Sequence, residues 1–176
     1  MLDSHLVDGL IGALLGSIIS VVAIYWMTKR AEEREARSVA MALLWEIDNF
    51  YKPYIRNIRR ALKDKEPNDL RLDAKSLTFS RFTVYEASAD KVGLFDPRLV
   101  RGVVGWYGSV SAYLDTIHDY GQTIERIDQG QHQLHKKAAE LLRQIKVLAE
   151  SLVPFTKTIS EELAKRAKAE YTFDAS

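Results

Sequence analysis

The sequence predicts an all-α protein, with one N-terminal transmembrane helix followed by an antiparallel bundle of three long helices plus a short capping helix. Three observations carry this expectation. Residues 10–27 contain no charge and are bracketed by Asp8 and Lys29; a helix needs about 20 apolar residues to cross a bilayer core. Apolar residues recur at alternating spacings of four and three in three later stretches, which is the repeat of a helix seam. No stretch of useful length alternates apolar and polar as a half-buried strand does.

The chain of 176 residues divides accordingly into a short extracytoplasmic tail (1–8), a transmembrane helix (9–28), a cytoplasmic helical bundle (29–170) and a flexible tail (171–176). The apolar segment reads as a retained anchor. Residues 1–9 hold no Lys or Arg, and the exit Tyr25-Trp26-Met27 is bulky where a signal-peptide cleavage site is small. Tyr25 and Trp26 stand where an interfacial aromatic belt lies. Lys29, Arg30, Arg34 and Arg37 follow, which places the C-terminal domain in the cytoplasm by the positive-inside rule.

The apolar helix is expected to continue to about residue 62. Its seam is Ala36, Ala40, Leu43, Ile47, Phe50, Tyr54, Asn57 and Ala61, widened into a bundle face by Val39, Tyr51, Ile55, Ile58 and Leu62, with Pro53 predicted to kink or break it. Residues 63–80 read as a charged, turn-rich loop. Residues 82–92 fit a short helix with Ser80 as cap candidate, expected to close the membrane-distal end. Asp96-Pro97 is a helix start: Asp caps and Pro fits the first turn. The next seam is Leu99, Val103, Trp106, Val110, Tyr113, Ile117, Tyr120, Ile124 and Ile127. Asp128-Gln129-Gly130 makes a turn. The last helix, 131–169, carries Leu134, Ala138, Leu141, Ile145, Leu148, Leu152, Phe155 and Ile159, with Pro154 inside. Three such helices imply that the first leaves the membrane, the second returns and the third leaves again. Gly102, Gly105 and Gly108 are expected to let another segment, such as 82–95, lie close.

Few chemistries find residues here. With no cysteine, disulfides, thiolate metal sites and Cys nucleophiles are excluded. His118, His132, His135 and Glu140 do not converge as metal ligands, though His118 and Glu140 could pair across a hairpin. Glu46, Asp48, Asp115 and Asp119 read as solvated helix faces. The expectation is therefore no catalytic residue, no metal and no cofactor. All 25 Lys and Arg follow the apolar segment, as do all of the 24 acids except Asp3 and Asp8. That small positive excess argues against a nucleic-acid binder. Two surfaces remain as binding candidates. Gly9, Gly12, Ala13, Gly16, Ser17 and Ser20 form a small-residue face containing a GxxxG step, suited to homo-oligomerisation through the span in lipid. Lys52, Arg56, Arg59, Arg60, Lys63, Arg98 and Arg101 are expected to gather at the membrane-distal pole, with Arg81, Lys165, Arg166 and Lys168, as a surface for an anionic partner.

The run Val84-Tyr85-Glu86-Ala87-Ser88-Ala89-Asp90-Lys91-Val92-Gly93-Leu94-Phe95, followed by Leu99, Val103, Val104 and Tyr107, resembles a pattern in small uncharacterised bacterial single-pass inner-membrane proteins. The resemblance covers about residues 79–114 plus the overall layout. It implies the bacterial inner membrane and carries no activity, cofactor or catalytic residue. The expected role is a membrane-anchored interaction module (a tether, scaffold or sensor adaptor) for an unknown protein partner. The alternatives are a membrane effector whose oligomerising span perturbs the bilayer, and a bundle that senses a small ligand near Gly102 and Gly108.

Overall fold

The computed structural model describes the backbone of residues 4–64 and 82–174. The loop 65–81, with Ser80 and Arg81, and the ends 1–3 and 175–176 lie outside the described residues. So do the side chains of 4–12, 61, 63 and 64, which takes in Gly9, Gly12 and Lys63. Among the described residues the structure is helical and contains no strand.

Helix α1 spans Ser4–Phe50 as 47 uninterrupted residues. From Ala13 to Glu35 every residue is exposed; from Ala36 onward one face is buried. The sequence is apolar all round to Met27 and mostly charged from Thr28 to Glu35, and only from Ala36 does an apolar stripe alternate with charges. Ala36, Ala40, Leu43, Ile47 and Phe50 are all in the core, as the seam requires.

Pro53 then acts in a specific way. It lacks an N–H, and its ring crowds the carbonyl of residue 49, so the α-helical ladder cannot continue. The backbone takes up one wider turn, a π-helix over Tyr51–Arg56, before α2 (Asn57–Asp64) resumes. A π-turn inserts one residue into the helical register. The predicted seam Phe50–Tyr54–Asn57 therefore slips by one. Tyr51, Ile55 and Ile58, expected at the margin of the face, become its buried centre, while Tyr54 is half-buried and Asn57 is exposed.

Helix α3 (Thr83–Ser88) and a single 3-10 turn at Val92–Leu94 precede α4 (Pro97–Asp128). Asp96 caps α4 by accepting from the amides of Arg98 and Leu99, both at 3.0 Å, with Pro97 in the first turn. In its seam Ile124 alone is half-buried, and the rest are buried. Gly130 (φ 93°) supplies the left-handed conformation of the α4–α5 turn. Helix α5 (His135–Ala167) carries Pro154 without interruption. It ends at Lys168, which adopts φ 56°, a conformation that more commonly selects glycine.

The helix directions differ from those expected. Trp106 pairs with Thr156 across α4 and α5, and Gly102 faces Ile159, so these two run in opposite senses. Tyr107 bonds Glu46 while Tyr113 bonds the carbonyl of Tyr54, so α1 and α4 run in the same sense. The return along α1 is made earlier. Val84 and Tyr85 meet Glu46, and Lys91 meets Glu35 at 2.7 Å. Residues 82–95 thus do not close the distal end. They descend along α1 toward its apolar half, and α4 starts there.

The glycines of α4 serve α5 rather than residues 82–95. A Cβ on Gly102 would overlap the Ile159 side chain, and one on Gly105 would sit 3.4 Å from the Phe155 ring. Gly108 faces open space. Gly108→Ala should therefore raise stability by about 0.5–1 kcal/mol through helix propensity, and Gly102→Ala should fall short of that gain. Trp106, fully buried, should cost about 3–5 kcal/mol on replacement by Ala. Urea melts of the three variants check the ordering.

Candidate functional site

The densest side-chain chemistry surrounds Glu46. Helix α1 presents its carboxylate half-buried, toward the start of α3. It accepts from the amides of Val84 (2.8 Å) and Tyr85 (3.1 Å) and from the Tyr107 hydroxyl (2.6 Å). The first amides of any helix lack partners within it; here a carboxylate from another helix supplies one. Aromatic rings close over the group. Tyr85 stacks on Tyr107 at 4.0 Å, Phe82 meets Tyr107 edge-on at 4.8 Å, and Phe50 meets Trp106 edge-on at 5.8 Å. Trp106 is satisfied in turn, its Nε1 donating to Thr156 Oγ1 at 2.9 Å. Burial first, and then the bond to Glu46, push the Tyr107 phenol far above its ordinary value; burial alone raises Tyr113. Glu46 is thus a positioning group, with its acceptor capacity spent on α3 and α4, and not the solvated face read from the sequence.

A second assembly involves the C-terminal tail. After Lys168 the chain reverses and lies back along α1. The Tyr171 hydroxyl donates to Asp48 at 3.3 Å, Phe173 packs on the Tyr51 ring at 4.8 Å, and Asp174 pairs with Arg56 at 2.8 Å. Residues 171–174 are therefore placed by contacts with α1 and the π-turn, where a flexible tail was expected. Beside them opens a groove of about 300 Å³ lined by Met41, Leu44, Trp45, Asp48, Ala169 and Tyr171. Trp45 is 62% exposed at its edge, and exposed Trp is typical of interface anchors.

The predicted basic surface does not assemble as one. Lys52 pairs with Asp48, Arg56 with Asp174 and Arg59 with Glu150, while Arg60 is exposed. Arg98 and Arg101 lie in the first turns of α4, at the opposite end of the domain, because α4 starts where Lys91 meets Glu35. Lys165, Arg166 and Lys168 end α5 beside them.

The histidines do not pair as the hairpin model allowed. His118 bonds Gln122, Glu140 bonds Arg143 and Gln144, and His132 stacks on His135. Among the described residues, no group of three or more His, Cys, Asp or Glu is placed to hold a metal ion. Asp115 and Asp119 are exposed.

On the apolar half of α1, Ala13, Gly16, Ser17 and Ser20 are exposed. Ser17 donates to the Ala13 carbonyl and Ser20 to that of Gly16, both at 2.8 Å. Their hydroxyls therefore need no outside partner, as a lipid environment demands. Lys29 lies 6.0 Å from the Tyr25 ring and Arg30 lies 5.3 Å from the Trp26 ring, so cation–π contacts join these two aromatic residues to the first basic residues. α1 is long and apolar enough to cross a membrane. Comparison with protein-family models, with curated proteins and with solved structures finds no match.

Two outcomes test this site. Glu46→Ala should leave the Val84 and Tyr85 amides and the Tyr107 hydroxyl without their acceptor, at about 1–3 kcal/mol for each buried group orphaned. Hydrogen exchange at 83–88 should accelerate far more than at α5; uniform acceleration would contradict a local lock. The raised phenols add an alkaline dependence. A phenol whose folded pKa lies above its unfolded value of about 10 contributes fully below that pH, and its contribution is lost as pH rises through the folded value. Stability should thus decline above pH ~10, with a shallower decline in Tyr107→Phe. Identical slopes in urea melts would contradict the assignment.

Proposed function

We propose that this chain is a non-enzymatic, single-pass anchor of the bacterial inner membrane whose helical domain is an interaction module for a protein partner. The domain is read as a three-helix bundle of α1, α4 and α5, in which α1 and α4 run parallel. One observation supports this reading above the others: the apolar part of α1 is exposed at every residue from Ala13 to Met27. Ile19 is 68% and Met27 71% accessible, and nothing among the described residues packs on them. A contiguous apolar surface of that length is not sustained in water by a soluble monomer; hydrocarbon is the solvent it fits. The basic residues from Lys29 on favour an outside N-terminus and a cytoplasmic domain. Trp45 and its groove are the natural contact for a protein partner.

Self-association through Gly9, Gly12, Ala13, Gly16, Ser17 and Ser20 accompanies this reading. The exposed small face with internally satisfied hydroxyls supports it, and the membrane-effector alternative draws on the same face. The small-ligand alternative rests on the stretch Gly102–Gly108, where Gly102 and Gly105 face α5 and Gly108 faces open space.

The full chain should resist carbonate extraction, and a chain lacking residues 1–28 should not. A reporter active only outside the cytoplasm should stay silent when fused to the C-terminus; a strong signal would overturn the orientation. A photo-crosslinking residue at Trp45 should yield an adduct with a different protein in cells. An adduct only with itself would replace the partner reading by homo-oligomerisation.

A further inference from the structure

The fold carries basic residues from separate segments to the end of the domain that adjoins the apolar half of α1. Lys91 meets Glu35, so α4 begins beside this part of α1. The α4–α5 pairing of Gly102 with Ile159 then brings the last turns of α5 to the first turns of α4. Arg98, Arg101, Arg166 and Lys168 therefore stand around the same end as Arg34. All but Arg166 are exposed.

Acids at this end are largely engaged within the domain. Glu33 pairs with Arg37, Glu35 with Lys91 and Glu162 with Lys165, and Asp96 is spent on the α4 cap. Among the described residues, Arg34, Arg98, Arg101, Arg166 and Lys168 show no ion pair within the fold, leaving Glu32, Asp90 and Glu170 as the acids set against them. From Thr28 to Met41, which lines the groove together with Ala169 beside Lys168, the helix rises about 20 Å at ~1.5 Å per residue. A headgroup layer occupies roughly 5–8 Å per leaflet, and arginine side chains extend several ångströms further. Arg34 thus reaches the headgroups, and the four cations of α4 and α5 stand about 10 Å beyond them, on the order of one Debye length (~8–10 Å).

We propose that this end of the domain is a docking surface for anionic lipid headgroups, formed by Arg34, Arg98, Arg101, Arg166 and Lys168. The proposal rests on the membrane reading above. It goes further in having the bilayer bind the folded domain itself and fix its orientation, where the flanking residues Lys29 and Arg30 alone would only orient the span.

The chain has no cysteine, so a single label can report the distance to lipid. Gly93 lies at this end, exposed, and a Cβ there meets nothing within 4 Å. Full-length Gly93→Cys carrying a fluorophore is placed in nanodiscs of phosphatidylcholine, or of phosphatidylcholine with phosphatidylglycerol, each doped with a headgroup-labelled quencher. Quenching should be greater by about twofold or more in the anionic discs. The excess should vanish at about 0.5 M salt and in the variant Arg98→Gln/Arg101→Gln/Arg166→Gln/Lys168→Gln. Equal quenching in both lipids, in a chain that enters the discs, overturns the headgroup surface and leaves the anchor standing. A chain that does not enter either disc overturns both. Should the fourfold variant lose its helical spectrum, the lipid and salt comparisons on the otherwise native sequence decide the matter alone.

Discussion

The contact between Glu46 and the start of α3 has consequences through the whole domain. Two amides and a phenol converge on one side chain, and a half-buried carboxylate is a strong acceptor for all three. Fixing residues 84 and 85 at the level of Glu46 sets where the chain goes next. Nine residues after the start of α3 the 3-10 turn lies against α1, and Lys91 is at Glu35. From there α4 can only run outward, alongside α1. The short turn at Gly130 then sends α5 back, and Lys168 turns the tail onto α1. Topology, tail position and the clustering of basic residues at one end all descend from that anchoring.

α1 joins two kinds of surface in one helix. Residues 10–27 are apolar all round and residues 36–50 carry a buried stripe, with no break between Ser4 and Phe50. No flexible linker separates the proposed span from the core, so a rotation or tilt of one half is transmitted to the other. Pro53 interrupts only after the core seam has formed. Its π-turn moves the buried stripe onto Tyr51 and Ile55, the same turn that receives Phe173 and Asp174.

Much of this was legible in the sequence. The seams of α4 and α5, the Asp96–Pro97 start, the Gly130 turn and the apolar helix follow from local periodicity and capping chemistry, which act over a few residues. What escaped depends on distance along the chain. Glu46 looks like any helix-surface acid until residue 84, 38 positions later, is beside it. The direction of α4 could not come from its seam, since an amphipathic helix buries the same face whichever way it runs. Counting only long helices assigned the return to α4, when a six-residue helix and one 3-10 turn accomplish it. The basic cluster at 52–63 and the one at 98–101 were merged for that reason. The slip of the first seam after Pro53 reflects a choice between a kink and an inserted residue, which a proline alone does not settle. The tail looked unbound because Tyr171 and Phe173 find their neighbours more than 100 residues away.

The central claim is that the chain returns along α1 before α4 begins. Its absence of cysteine makes a direct measurement simple. Glu35→Cys with Lys91→Cys, treated with a short bismaleimide, should give an intramolecular crosslink in high yield, joining the peptides that contain residues 35 and 91. Lys91→Cys paired instead with Arg60→Cys should give none. The reverse pattern, with residue 91 crosslinked to residue 60 and not to residue 35, would place α3 at the far end of α1 and contradict the account.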